Sequence, residues 1–237
     1  MKIQEVKIKL MENVFYCSSE LGNEFRTYGL IGNTALPYAL HLSPSPYKKF
    51  KTPQYKKHFQ ELREKGIYIT PVTFKDPIDF KTSRFNSIPE RYNHAWNFTR
   101  TGKAKNDKRR KENFPDEGWF KLLRKGNIGF FYIISPNGID VPDYIRIGKF
   151  MSKCKLQSKE KKSKEVKGKL KTDIYLRAED IDPEIKITQY SKKVIQHGCY
   201  LKNMNWMGKG HKVNTSVFRS VVIPKNTAFY ISEIKKW

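Results

Sequence analysis

Along the first ten residues, MKIQEVKIKL, the apolar side chains Val6, Ile8 and Leu10 alternate with Lys7 and Lys9. Successive side chains of a strand point to opposite faces, so this period of two predicts a β-strand over residues 2–10 with one buried face. Strand patterns return at Ile67–Phe74, Ile128–Ile134, Tyr144–Leu156 and Leu170–Ala178, and a hairpin is expected from Val217–Ile223 and Ala228–Ile234 across Pro224-Lys225-Asn226. Strands outnumber helices by about three to one on this reading, which predicts a sheet-rich α+β protein.

Two helices are expected. Asn33 can cap one that runs to Leu42, carries Leu36 and Leu40, tolerates Pro37 near its start and stops before Ser43-Pro44-Ser45-Pro46. Tyr55, Phe59 and Leu62, spaced by four and three, place the second at Gln54–Lys65, with Gly66 as its stop signal. From Phe85 to Trp119 the apolar rhythm vanishes over a length unusual for a connection, the mark of a functional loop or insertion. The stretch 157–169 is charge-dense and almost without apolar residues, so an exposed lysine-rich loop is expected there. No internal repeat is present.

Charge narrows the partners. Forty-seven Lys and Arg against 23 Asp and Glu leave a net +24 over 237 residues, and so basic a surface calls for a polyanion. No run approaches the ~18 apolar residues of a bilayer span, and Lys2, Glu5, Lys7 and Lys9 interrupt what a signal peptide needs to keep apolar, so a cytoplasmic protein without a membrane partner is expected. Cys17, Cys154 and Cys199 cannot pair completely and form no C-x-x-C, which predicts reduced, buried thiols.

Residues 99–113 hold seven basic side chains, Arg100, Lys103, Lys105, Lys108, Arg109, Arg110 and Lys111, against Asp107 and Glu112. Tyr92, Trp96 and Phe98 precede them, and Phe114, Trp119 and Phe120 follow. Guanidinium and ammonium groups beside planar rings suit unpaired bases and their phosphates, which makes Tyr92, Trp96 and Phe98 base-stacking candidates; the plainer reading is that the rings anchor the loop. A second candidate is the predicted strand Tyr144–Leu156, where Lys149, Met151, Lys153 and Lys155 alternate with Phe150, Cys154 and Leu156. Such lysines stand roughly 6–7 Å apart, close to the phosphate step of a single strand, or else guard a sheet edge. Gly208-Lys209-Gly210-His211-Lys212 is either a phosphate cradle containing His211 or an empty mobile loop. Trp206 and Met207, in an expected loop over Tyr200–Val213, are partner-interface candidates unless Trp206 folds back onto the sheet.

Catalytic patterns are thin. His41, His58, His94, His197 and His211 occupy no recognisable catalytic spacing, although His94 and His211 lie in basic surroundings. Glu179, Asp180, Asp182 and Glu184 resemble an ordinary acidic turn around Pro183 rather than a metal site. Neither G-x-x-x-x-G-K-[ST] nor G-x-G-x-x-G occurs. No metal, cofactor or catalytic residue is expected.

Several segments in order, Glu12–Leu42, Gly66–Phe74, Phe85–Asn93 and Tyr144–Leu156, resemble the small backbone subunit of the type I-D CRISPR effector complex, a member of the repeat-associated mysterious protein (RAMP) superfamily. The resemblance spans Val6 to about Ile223. It implies a single RAMP-type domain over residues 1–237, with a ferredoxin-like, RNA-recognition-type core (βαββαβ in its simplest form), an antiparallel sheet, extra C-terminal strands and a thumb-like insertion best matched by Asn93–Asn113. It further implies a subunit that does not cut RNA, that holds the 5′ handle of the crRNA, caps a filament of backbone subunits and docks the large subunit that inspects target DNA. Relatives that process precursor RNA make a metal-independent endoribonuclease the alternative.

Replacing Arg109, Arg110 and Lys111 by Ala is expected to weaken RNA binding or complex assembly while the melting temperature stays put, because a solvated loop adds little to a core. Gel-shift titration together with a thermal melt checks this, and unchanged binding and assembly would remove the basic segment from the RNA site.

Overall fold

A computed structural model of the chain describes residues 1–43, 55–87, 116–195, 198–215 and 217–229. Strands are numbered in chain order and form three sheets. The central sheet contains β1 (Lys2–Leu10), β4 (Leu30–Ile31), β5 (Tyr68–Ile69), β6 (Val72–Phe74), β9 (Ile128–Ser135), β10 (Tyr144–Ile147) and β11 (Ser152–Lys161). A small sheet contains β2 (Ser19–Leu21), β3 (Glu24–Arg26), β7 (Phe80–Ser87) and β8 (Asp116–Leu123). The third, here the ribbon sheet, is built from β12 (Ser163–Thr172), β13 (Leu176–Arg177), β14 (Lys186–Ile195), β15 (Gly198–Val213) and β16 (Val222–Pro224). The helices are short: α1 (Leu36–Ala39), α2 (Tyr55–His58) and α3 (Gln60–Glu64). Apart from β3 with β8, the strand pairs are antiparallel.

The opening strand is where its alternation puts it, in the middle of the central sheet between β9 and β11. Val6, Ile8 and Leu10 are buried on one face, Lys7 and Lys9 lie on the other, and across the pairing Ile8 meets Leu156 and Leu10 meets Cys154. β9 (IGFFYIIS) is buried along almost its whole length, which is why it reads as a continuous apolar run rather than an alternating one. One continuous apolar cluster runs from Ile3 through Phe59, Phe131, Leu156 and Trp206 to Phe229.

Several expectations are corrected by pairing that composition does not reveal. The stretch 157–169 is no loop: it is the end of β11 and most of β12, exposed on alternate or successive positions but hydrogen-bonded in register to β1 and β15. Tyr200–Val213 is no loop either. It lies within β15, which takes β12 and β13 along one edge and β14 and β16 along the other. In its middle Met204, Trp206 and Gly210 turn inward, so Trp206, 1% exposed, packs into the core opposite Leu170 and Ile187 and is not an interface residue. The strand expected over Tyr144–Leu156 is a hairpin. β10 and β11 are joined by a turn at residues 148–151 in which Gly148 and Met151 adopt left-handed φ of 76° and 51°. A Cβ at Gly148 would stand 2.7 Å from the Phe15 carbonyl oxygen, so the turn can close here only on glycine. The strand over Ile67–Phe74 is interrupted at Thr70-Pro71, that over Leu170–Ala178 at residues 173–175, and in the C-terminal pair only Val222–Pro224 forms a strand; residues 230–234 lie outside the described residues. Both helices stand where expected, although α1 is a single turn and the second divides into α2 and α3 at Phe59.

Asn33 does not cap α1, whose N-cap position is Ala35. Its side-chain amide is taken by a buried joint between the central and ribbon sheets, donating to Asp180 Oδ2 at 2.6 Å and to the Ile69 carbonyl at 3.2 Å. The Tyr68 hydroxyl donates to the same carboxylate oxygen at 3.3 Å. Asp180 therefore leaves the acidic turn it was read into: with Glu179 it forms a 3-10 turn over Ala178–Asp180, and it is fully buried. Next to it the buried Arg177 bonds Glu179 through Nε at 3.1 Å, and Glu179 accepts the Cys199 backbone N–H at 3.1 Å. Gly32 completes the joint, since a Cβ there would stand 2.5 Å from the Tyr200 hydroxyl.

Burial raises the Asp180 carboxyl from its ordinary 3.8 to about 7, against the pull of Arg177 and of the hydrogen bond from Asn33. Between those two values the folded chain holds a proton that the unfolded chain has released, so this group makes stability fall as pH rises from about 4 to about 7. In Asp180→Asn that contribution disappears. The difference in unfolding free energy between variant and wild type is expected to move in the variant's favour across this window, whatever its offset at low pH. Denaturant melts at a series of pH values check this, and a constant difference would show that Asp180 is ionised throughout.

Candidate nucleic-acid interface

In the central sheet, register gathers cations that are distant in sequence. Tyr144 on β10 pairs with Lys155 on β11, which pairs with Lys9 on β1; one step along, Arg146 pairs with Lys153. Paired residues share a face, so Tyr144, Arg146, Lys153, Lys155 and Lys9 stand together, and Lys7 and Lys159 extend the patch along the same face. All but the half-buried Lys7 are exposed. The Lys153 ammonium lies 4.4 Å from the centroid of the Tyr144 ring. Arg146 donates to the Met151 carbonyl at 2.9 Å, which ties it to the turn. Beyond Lys161, which pairs with Glu5 at 2.9 Å, the same face is apolar at β9 and closed over, with Phe218 against Phe130.

Like charges directly opposite each other across a strand pair cost stability, and here Lys9 faces Lys155 and Arg146 faces Lys153. Among the described residues none of these four makes an ion pair. The patch is an array of uncompensated cations around one exposed ring, an arrangement that can neutralise phosphates and offer a planar surface to a base.

Of the expected lysine row, Lys153 and Lys155 keep their places and Cys154 and Leu156 are buried behind them. Lys149 does not belong to the row. It sits in the turn, its N–H bonded to the Phe15 carbonyl at 2.9 Å and its ammonium 5.8 Å from the Phe15 ring centroid. Phe150, expected on the buried face, is half exposed and stacks against Phe15 at 5.1 Å. Arg100, Lys103, Lys105, Lys108, Arg109, Arg110 and Lys111, with Tyr92, Trp96 and Phe98, lie outside the described residues. At the edge of that segment Trp119 is exposed with Arg84 5.9 Å from its ring, while Phe120 stacks on Phe85 at 4.4 Å.

His211 is half-buried on β15 opposite Glu165, and Gly208–Lys212 is continuous strand rather than a cradle. Burial pulls the His211 imidazole below its ordinary range, against the pull of Glu165. Met207 is exposed, as expected of an interface candidate, between Lys169 and Lys186 of the flanking strands. His41 is exposed at the end of α1 with a left-handed φ of 56°, and His58 shares a hydrogen bond of 2.6 Å with Tyr38; His94 and His197 lie outside the described residues. Among the described residues no three His, Cys, Asp or Glu side chains come together as metal ligands, and all three cysteines are unpaired. Among them, too, no helix is long and apolar enough to cross a membrane.

Sequence reasoning missed Lys9, Tyr144 and Arg146. Lys9 and Arg146 both sit beside alternating apolar residues, and that signal was sufficient to place each on a wet face. What joins them is the β1–β11–β10 pairing, which no local pattern encodes.

Among solved structures, one described as the crystal structure of a CRISPR protein from Archaeoglobus fulgidus is similar at 11% identity and a TM-score of 0.44, over 94% of this chain and 100% of that one. No curated protein matches the chain. The family described as type I-D CRISPR-associated protein Cas5/Csc1 matches residues 1–232, nearly the whole length. With that span the chain belongs to the type I-D Cas5/Csc1 family of CRISPR effector subunits.

Proposed function

We propose that this protein is a cytoplasmic, non-catalytic RNA-binding subunit of a type I-D CRISPR surveillance complex. In this reading it holds the single-stranded 5′ handle of crRNA, caps the filament of backbone subunits and docks the large subunit, so that target DNA is met through the assembly in defence against foreign DNA. The observation that carries the reading is the uncompensated patch of Lys9, Arg146, Lys153 and Lys155 around Tyr144. Its cation spacing suits a phosphate backbone and its ring suits a base, the pairing on which single-strand binders rely. Support for a ferredoxin-like RAMP core comes from strand order: β1 lies between β9 and β11, with β5 and β6 on the far side of β9 and the helices between β4 and β5. That is the order of a βαββαβ core in which β10 replaces the second helix.

Changing Lys9, Lys153 and Lys155 to Gln is expected to lower the slope of log affinity against log salt for a handle-like single-stranded RNA by ~2, at ~0.7 per lost phosphate contact. The fold is expected to be retained, since the variant removes like-charge neighbours rather than core. Fluorescence anisotropy over a salt series is the measurement, and an unchanged slope would remove this face from the RNA site.

Purified protein incubated with repeat RNA, with and without metal, is expected to leave the RNA intact. Sequence-specific cutting lost in His41→Ala, His94→Ala or His211→Ala would put the endoribonuclease reading first. Co-purification with the neighbouring subunits tests the assembly role, and the appearance of the chain without a defined small RNA would count against it.

A further inference from the structure

The ribbon sheet carries a second basic face. Over Asn205–His211 the odd-numbered side chains of β15 and the residues paired with them turn away from the Trp206 side, placing Lys167 opposite Lys209, and Met207 between Lys169 of β12 and Lys186 of β14. Lys171 continues the β12 row opposite Asn205. Lys167, Lys169, Lys186, Lys209 and Met207 are exposed. Acidic groups are few here. Glu165 is engaged by Lys225 at 3.0 Å, and Asp173 stands 3.8 Å from Lys171. Among the described residues Lys167, Lys169, Lys186 and Lys209 make no ion pair, and Lys167 against Lys209 is again a like-charge pair held across a ladder.

We propose that this face is a separate binding surface for a nucleic-acid duplex, gripped through its phosphates. Two features bear on the ligand. The first is extent. Lys167, Lys169 and Lys171 of β12 and Lys186 of β14 lie on either side of β15, about 10 Å apart at the backbone, two inter-strand spacings. Cations so placed can face phosphates on the two sides of a duplex groove, ~6 or ~12 Å wide. The second is the lack of a stacking platform. Where the central sheet sets Tyr144 among its cations, this grid sets Met207, and among the described residues no Phe, Tyr or Trp side chain shares the face with Lys167, Lys169, Lys186 and Lys209; the His211 ring on this face is half-buried opposite Glu165, and Tyr190 lies past the register shift at Gln189. Single-strand sites depend on base stacking, while a duplex offers its phosphates outward and is held by cations alone, without sequence readout. A membrane surface fits less well, because among the described residues Met207 is the only exposed large apolar side chain within this lysine grid.

The test compares two variants of the full chain, Lys167→Gln/Lys169→Gln/Lys186→Gln/Lys209→Gln and the central-sheet set Lys9→Gln/Lys153→Gln/Lys155→Gln. The probes are a mixed-sequence DNA duplex, an RNA duplex of equal length, single-stranded RNA and phosphatidylserine vesicles. The ribbon-sheet variant is expected to lower the salt slope for B-form DNA by ~3.6, at ~0.9 per phosphate contact, and to leave the single-strand slope unchanged. The central-sheet variant is expected to do the reverse. Equal loss for DNA and RNA duplexes assigns the face to phosphate geometry common to both, and loss for one alone identifies that duplex as its ligand. Unchanged duplex binding, equal effects of both variants on every probe, or loss confined to vesicles would overturn the proposal. Should the quadruple variant fail to fold, Lys169→Gln/Lys186→Gln alone is expected to lower the DNA slope by ~1.8. Because each face is read with its own variant, failure here leaves the single-strand reading of the central sheet standing or falling by itself.

Discussion

Backbone register is the constraint on which the rest depends. A strand slipped by one residue exchanges its faces. In β1 such a slip would bury Lys7 and Lys9 and expose Val6, Ile8 and Leu10. The burial of those apolar residues against Leu156 and Cys154 thus determines that Lys9 meets Lys155, although the two lysines repel one another. In the ribbon sheet Trp206, packed opposite Leu170 and Ile187, plays the same part and brings Lys167 to Lys209. The cationic faces are consequences of the apolar ones, aligned from behind.

This arrangement settles the sign of the balance. Directly opposed cations cost about 0.2–1 kcal/mol per pair, and burying one large apolar side chain returns about 1.5–3 kcal/mol. On the central sheet each like-charge pair is backed by at least one such side chain, Leu10 and Leu156 behind Lys9 and Lys155 and Ile145 and Ile147 behind Arg146 and Lys153, so that face can remain uncompensated without unfolding the chain. Lysine stems also lie along the sheet and cover apolar area while their ammonium groups stay in water. That helps explain why β12, with only Val166 and Leu170 as large apolar residues, holds its place on β15.

The same balance explains what could be read from the sequence. Where apolar residues alternate strictly, as at Val6, Ile8 and Leu10, or run together as in Ile128–Ile134, the strand was legible because local burial alone requires it. The stretch 157–169 was not, because its strand character is supplied by partners: β11 leans on β1, and β12 on a β15 far along the chain. Trp206 looked stranded among Asn and Gly for a related reason. Its neighbours Asn205 and Met207 belong to the open, lysine-flanked face, and Gly208 lies beside the indole on the inner one, so composition suggests a loop where the ladder is longest. Asn33 misled in another way. An asparagine ahead of an apolar run has the pattern of a cap, yet its amide is worth more to a buried carboxylate, and only the approach of residues 178–180 creates that alternative. For the candidate site, Lys153 and Lys155 were legible as alternating residues, whereas Tyr144, Arg146 and Lys9 became part of it through register alone.

Placing the cations on paired strands has a consequence that a basic loop lacks. A loop must be ordered when a polyanion arrives, and that entropy is subtracted from affinity. On β10, β11 and β1 the backbone is already fixed, so binding orders only lysine and arginine side chains. Some of that ordering is in place beforehand, since Arg146 is held to the Met151 carbonyl and the Lys153 ammonium rests on the Tyr144 ring. Phosphate neutralisation also removes the repulsion between Lys9 and Lys155 and between Arg146 and Lys153, a gain open only to a site whose cations were held together beforehand. In the proposed function, the repulsion that register imposes on the free chain is what an anion with closely repeated groups would relieve on binding.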